Sequence, residues 1–140
     1  WSNVNPTLPS TLQYNSMVTK DILDKNAKFA EPTGTLLNKW GNSTRLTKVS
    51  NINSKCHTLT ASMFRNNISR YIKNDNNLVH KLSVNECERL QGIPVNYCKG
   101  IVSDSQALKM IGNGFEINSI RAFIKGMLSH NLKIKTKLLF

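Results

Sequence analysis

The first residues to test for chemistry are Cys56, Cys87 and Cys98, because a thiolate is the strongest nucleophile an unmodified side chain offers near neutral pH. None of them is well placed. Cys87 lies between Glu86 and Glu88, whose charges disfavour a thiolate. Cys56 precedes His57, but neighbours on a strand point to opposite faces, so the ring is badly placed to activate the thiol. Cys98 follows Tyr97 and precedes Lys99 in what reads as a loop, and is expected to be a surface thiol. No histidine has metal-ligand spacing to another His or to a Cys pair. The expectation is therefore no catalytic residue and no metal in this chain.

A second set of residues suits binding rather than catalysis. Lys48, Lys55, Arg65 and Arg70 are interleaved with Thr, Ser and Asn, a mixture that can contact phosphates and base edges. The same pattern also describes a Thr-rich sheet with basic positions facing solvent. Over the 140 residues the formal net charge is +11 and the isoelectric point about 9.9, the footprint of a polyanion binder. Solvated lysines such as Lys133, Lys135 and Lys137 are the alternative source of that charge. Three cysteines without a CxxC pair argue against a disulfide framework or a zinc ribbon and fit a reducing compartment. No apolar stretch approaches the roughly 20 residues that cross a bilayer. Trp1 stands where an initiator Met is expected and no signal peptide follows, so the chain reads as a piece of a longer protein.

These residues need elements to position them. Pro6, Pro9 and Pro32 punctuate a loop-rich start, with one short helix expected at Asp21–Asp24. From Thr44 to Ile72, apolar residues recur at short alternating intervals and predict strand-like segments. Ser83 followed by Glu86 predicts a capping box and a helix from Val84 to Gln91, closed by Gly92 and Pro94. Ser103 with Gln106 predicts a second helix through Met110, with its stop at Gly112. Ile117, Ile120, Phe123, Ile124, Met127 and Leu128 follow helical spacing and predict a third helix with an apolar stripe that must be covered.

His80-Lys81-Leu82-Ser83-Val84-Asn85-Glu86-Cys87-Glu88-Arg89-Leu90-Gln91-Gly92-Ile93-Pro94, followed by Ser105-Gln106-Ala107 and Ile111-Gly112-Asn113-Gly114, resemble the ninth and tenth motifs of the DNA (cytosine-5) methyltransferase family. Thr58-Leu59-Thr60-Ala61-Ser62 resembles the contact strand-loop of that family's target-recognition domain, and Trp1-Ser2-Asn3-Val4 resembles the stretch after the eighth motif in phage-type and Dnmt3-like members. The family usually has Arg where His80 stands, an aromatic residue where Ile93 stands, and Ser or Ala where Gly114 stands.

The resemblance implies a chemistry in which a cysteine thiolate adds to C6 of a flipped cytosine, S-adenosyl-L-methionine methylates C5, and a base removes the C5 proton. It implies that Lys48, Thr58, Thr60 and Ser62 touch DNA, that Arg65 and Arg70 extend the basic surface, and that Asn113 and Gly114 border the cofactor. A plain helix-initiating turn is the other reading of Asn113 and Gly114, and solvated charge that of Lys48, Arg65 and Arg70. Glu86 and Arg89 read as structural. The glycine-rich cofactor loop, the Glu-Asn-Val element and the Gln-x-Arg-x-Arg run of the family do not occur in this sequence.

The expected fold is α+β. Residues 1–100 form a small target-recognition domain that includes the ninth motif, and residues 101–140 carry the tenth-motif helices back to a Rossmann-like catalytic domain. The expected function is the C-terminal part, fragment or subunit, of a DNA (cytosine-5-)-methyltransferase that is inactive by itself. Double-stranded DNA and the catalytic N-terminal half, in the same or a separate chain, are its partners, with no membrane and no metal. The setting is a bacterial or phage-infected cytoplasm, or a nucleus if the source is eukaryotic. A non-catalytic DNA-binding or regulatory subunit of the same family is the alternative.

Overall fold

The computed structural model describes residues 19–37, 39–40, 43–65 and 67–138; the Trp1–Val4 stretch and the prolines Pro6 and Pro9 lie outside them. Local chemistry starts each of the three α-helices found among the described residues. Before α1 (Val84–Leu90), Ser83 Oγ accepts the Glu86 N–H at 3.1 Å while Glu86 Oε2 accepts the Ser83 N–H at 2.7 Å. Gly92, at φ +68, turns the chain away after Gln91. Before α2 (Asp104–Asn113), Ser103 and Gln106 form the same reciprocal box. Ahead of α3 (Ile117–Leu138), the Glu116 carboxylate accepts the N–H groups of Asn118 at 2.9 Å and Ser119 at 2.6 Å.

Gly112 does not stop α2. The helix runs through it to Asn113, because a glycine inside a helix is tolerated when packing favours it. The short helix expected at Asp21–Asp24 is a 3-10 turn over Thr19–Ile22.

The strand-like stretch from Thr44 to Ile72 is mostly not strand. 3-10 turns occupy Arg45–Lys48, Ala61–Phe64 and Ile68–Arg70. A three-stranded sheet sets β3 (Ser50–Asn51) parallel to β4 (Tyr71–Lys73) and β4 antiparallel to β5 (Val79–Lys81), in the order β3-β4-β5. A separate antiparallel pair joins β1 (Lys39–Trp40) to β2 (Ser43–Thr44). Residues 55–60 belong to no strand or helix. Thr58 is exposed and its neighbour Leu59 buried, a pairing that imitates a strand. Asn-rich sequence closes the β4–β5 hairpin: Asn74 Oδ1 accepts the N–H groups of Asn76 and Leu78 at 3.1 and 3.0 Å, and Asn77 takes φ +59, a conformation asparagine tolerates.

One core holds sheet, turns and helices together. Ile22, Leu59, Met63, Ile72, Leu82, Cys87, Leu108 and Ile111 form it, with Ile93 packed at its edge. A smaller cluster of Leu36, Val49 and Val79 lies beside the sheet. Leu108 and Ile111 place α2 in the same core as the residues before it, whereas α3 projects. Phe115, Ile120, Phe123, Ile124, Met127 and Leu128 are all exposed, from 41% at Ile120 to 78% at Phe115. The observed class is a small α+β fold with C-terminal helices. Among the described residues no helix is long and apolar enough to cross a membrane.

Candidate functional site

Leu59 and Met63, buried in the core, anchor the segment between them and hold Thr58, Thr60 and Ser62 at its outer side. Thr60 is extended at φ −117 and ψ 152, and its carbonyl accepts the Met63 N–H at 3.0 Å, starting the 3-10 turn Ala61–Phe64. The hydroxyls of this turn form a cluster. Thr60 Oγ1 lies 3.1 Å from Ser62 Oγ and 3.3 Å from Ser69 Oγ, and Asn67 Nδ2 donates to Ser62 Oγ at 2.7 Å. Asn67 and Ser69 were not singled out from the sequence, since nothing in their spacing links them to Thr60.

The basic residues divide. Lys48 is exposed at the end of its 3-10 turn, and its carbonyl accepts from the His57 ring, which brings it beside Thr58. Arg65 is exposed directly after the hydroxyl turn, with its guanidinium 5.3 Å from the Phe64 ring centroid, within cation–π range. Arg70 is half-buried, and its Nε donates to the Leu82 carbonyl at 2.8 Å while the Leu82 N–H returns to the Arg70 carbonyl at 2.9 Å. Part of its donor fork is thus committed to joining β4 to the start of α1.

The structure brings the last turn of α2 against the hydroxyl turn. Gly112 stands against the backbone of Thr60 and Ala61, and the next residues are Asn113 and Gly114, both exposed at the end of α2. Gln91, which is buried, holds the turn at both ends: its Nε2 donates to the Ile111 carbonyl at 3.1 Å and its own carbonyl accepts the Ile117 N–H at 3.0 Å. Sequence reasoning missed both roles. A glycine inside a helix was a legible sign for Gly112; a polar residue at a helix end carried none for Gln91.

Gly114 lies at φ −80 and ψ 170, extended backbone that any residue adopts. A Cβ there would meet only ordinary contacts, the nearest being the Ile111 carbonyl at 3.4 Å. The glycine that close approach requires is Gly112, and the approach is to Thr60. Nor is Asn113 a helix-initiating cap, since Glu116 does that work for α3.

Asn113 and Gly114, both exposed at the end of α2, offer a side-chain amide and a stretch of backbone to solvent. The adjacent groove, of about 440 Å³, is lined by Phe115, Ile117, Ile120, Arg121, Ile124 and Lys125. Two cations and no carboxylate make it a poor seat for a sulfonium compound, and its apolar walls suit packing instead.

None of the cysteines is poised as a thiolate. Burial pushes the Cys56 thiol up to about 11 and Cys87 up to about 12, and the His57 ring faces Lys48 rather than Cys56. Cys98 is not a surface thiol. It is buried, its N–H donates to Glu88 Oε1 at 2.9 Å, and burial together with that carboxylate raises its pKa. Glu86 completes the capping box, and Arg89 pins α1 to the first described segment, with Nη1 on the Ile22 carbonyl at 2.8 Å and Nη2 on Asp24 Oδ1 at 2.7 Å. Among the described residues no cluster of His, Cys, Asp or Glu has the makings of a metal site.

Against known proteins, the family model described as C-5 cytosine-specific DNA methylase matches residues 3–129. The chain is 32% identical over 92 residues to the type II methyltransferase M.DsaV of Dactylococcopsis salina; the match covers 66% of this chain and 26% of that protein. The chain thus spans about a quarter of the length of the curated relative it matches. No solved structure matches.

Proposed function

Because the chain belongs to the C-5 cytosine-specific DNA methylase family, we propose that it is the C-terminal part, as fragment or subunit, of a DNA (cytosine-5-)-methyltransferase that recognises DNA and closes one side of the cofactor site. The contact of Gly112 with Thr60 carries this reading, since it joins the helix that ends in Asn113 to the hydroxyl turn. S-adenosyl-L-methionine, when bound, supplies the methyl group that goes to C5 of a cytosine flipped out of the duplex. Asn113 and Gly114 border that ligand from the end of α2. Thr58, Thr60 and Ser62 hydrogen-bond the opened DNA, helping to offset the few kcal/mol that extrusion costs. Lys48 and Arg65 add charge at the same surface, and Arg70 adds its remaining donors.

Residues 1–100 act as the target-recognition part and residues 101–140 return toward a Rossmann-like catalytic part, with α2 as the joint. The apolar face of α3 supports this, because an isolated amphipathic helix is marginal in water without a surface to cover its stripe. That catalytic part supplies the nucleophile, consistent with three thiols whose pKa values are all raised. The relative is a type II methyltransferase, which supports a restriction-associated role for the enzyme this chain belongs to.

Mixing the purified chain with a candidate catalytic half, cofactor and duplex DNA tests the proposal. Methyl transfer is expected in the mixture and absent from the chain alone. Transfer by the chain alone refutes it. A stable complex that never methylates points instead to a regulatory subunit. Replacing Thr58 and Thr60 together with Val should weaken specific duplex binding across a salt series; unchanged affinity and selectivity would remove them from the interface.

A further inference from the structure

Glycine inside a helix is unfavourable relative to alanine, so Gly112, in the last turn of α2, needs a reason to be there. A Cβ at position 112 would lie 2.3 Å from the carbonyl carbon and oxygen of Thr60 and 2.5 Å from the Ala61 nitrogen. The obstructing atoms are backbone and cannot rotate away. Any side chain at 112 therefore drives α2 and the hydroxyl turn apart. The turn cannot simply retreat, because Leu59 and Met63 on either side of it are fixed in the core. The end of α2 is held as well, through the Gln91 amide on the Ile111 carbonyl at 3.1 Å.

We infer that Gly112 is a positioning residue for DNA engagement: its missing side chain lets α2 press on the Thr60–Ala61 backbone, and that contact sets where the hydroxyls of Thr58, Thr60 and Ser62 stand. The inference rests on the proposal that this turn touches DNA. It adds that the position of the turn, and not only its composition, is set from the helix that ends in Asn113.

The test compares Gly112→Ala, Thr60→Ala, Ser62→Ala and the double variant Gly112→Ala with Thr60→Ala, all in the complete chain. Binding is read with a fluorescent duplex pool of randomised sequence at fixed salt, and structure by backbone amide resonances. Gly112→Ala should move the amides of Thr60–Met63 while leaving those of Tyr71–Lys73 and Val79–Lys81 in place. Duplex affinity should fall about tenfold, the loss of one or two hydrogen bonds. Adding Thr60→Ala should cost little more, because the hydroxyl is already displaced; a glycine that mattered only for folding would give independent, additive losses.

If Thr60→Ala and Ser62→Ala both bind as the parent does, the DNA reading of the turn fails and the inference falls with it. If they weaken binding but folded Gly112→Ala binds normally, only the inference fails. Should Gly112→Ala not fold, Gln91→Met loosens the end of α2 without adding an atom at the contact. It should shift the Thr60–Met63 amides and weaken duplex binding in the same direction, and unchanged affinity in that variant overturns the inference.

Discussion

His80 stands where the family resemblance implies Arg, and its surroundings ask for a cation there. Nδ1 lies 2.9 Å from the Lys28 carbonyl and Nε2 lies 2.9 Å from Glu86 Oε2. Both partners accept, so the ring satisfies both only when it carries two protons. Burial by itself would lower its pKa, but the hydrogen bonds to Glu86 and Lys28 and the charges of Glu86 and Asp24 outweigh that and raise it above 6.5. Burial likewise opposes ionisation of Glu86, yet His80 and the N–H groups of Asp24 and Ser83 hold it down at about 2. The raised histidine contributes stability that is fully present below its unfolded value of 6.5 and is lost as pH rises through its folded value. The lowered glutamate contributes stability present above 4.5 and lost as pH falls toward about 2. This pair is therefore expected to stabilise most between pH 4.5 and 6.5. Urea unfolding across pH checks it: His80→Gln should cost about 1–3 kcal/mol at pH 6 and remove the decline on the alkaline side. A decline that persists in the variant would assign it to other groups.

At the scale of the element, helix starts were legible because their cause is local. A hydroxyl and an acceptor three residues apart find each other whatever the rest of the chain does. Ser83→Ala should cost about 1–2 kcal/mol in thermal or urea unfolding, since Ser83 Oγ serves the Glu86 N–H and also donates to Asp24 Oδ2 at 3.1 Å. A loss within error would mean that the box contributes nothing in this context. Strand readings between Thr44 and Ile72 fared worse. Apolar spacing reports which side chains are buried, and Leu59 is buried in a stretch that belongs to no strand; pairing depends on another segment, which periodicity does not see. The helix stop expected at Gly112 failed for a related reason, because the space that glycine leaves is filled by Thr60. Ile111→Ala, at the core side of the same helix end, should destabilise by about 2–5 kcal/mol, and a much smaller loss would show that α2 is only loosely seated.

For the whole molecule, a net charge of +11 and an uncovered apolar helix face make opposite demands on solubility. The charge favours polyanions and keeps copies apart, while Phe115, Ile120, Phe123 and Ile124 present a surface that water disfavours. Replacing Ile120 and Phe123 with Lys should leave unfolding free energy within about 0.5 kcal/mol, as exposed substitutions usually do. The same pair should abolish association with a catalytic half in light scattering. Retained association would move the contact off α3, and a large loss of stability would show that the stripe is already packed within this chain.

The sequence by itself determined the starts of α1 and α2, the basic character of the chain and its likeness to its family, because each is written in residues a few positions apart or in composition. Tertiary structure alone decided that Cys98 is buried with its N–H on Glu88, that Arg70 spends a donor on Leu82, that Gln91 holds both ends of the α2–α3 turn, and that Gly112 stands against the Thr60 backbone. These contacts join segments far apart in the chain, or depend on the space a missing side chain leaves, and no local pattern encodes which distant backbone will occupy it.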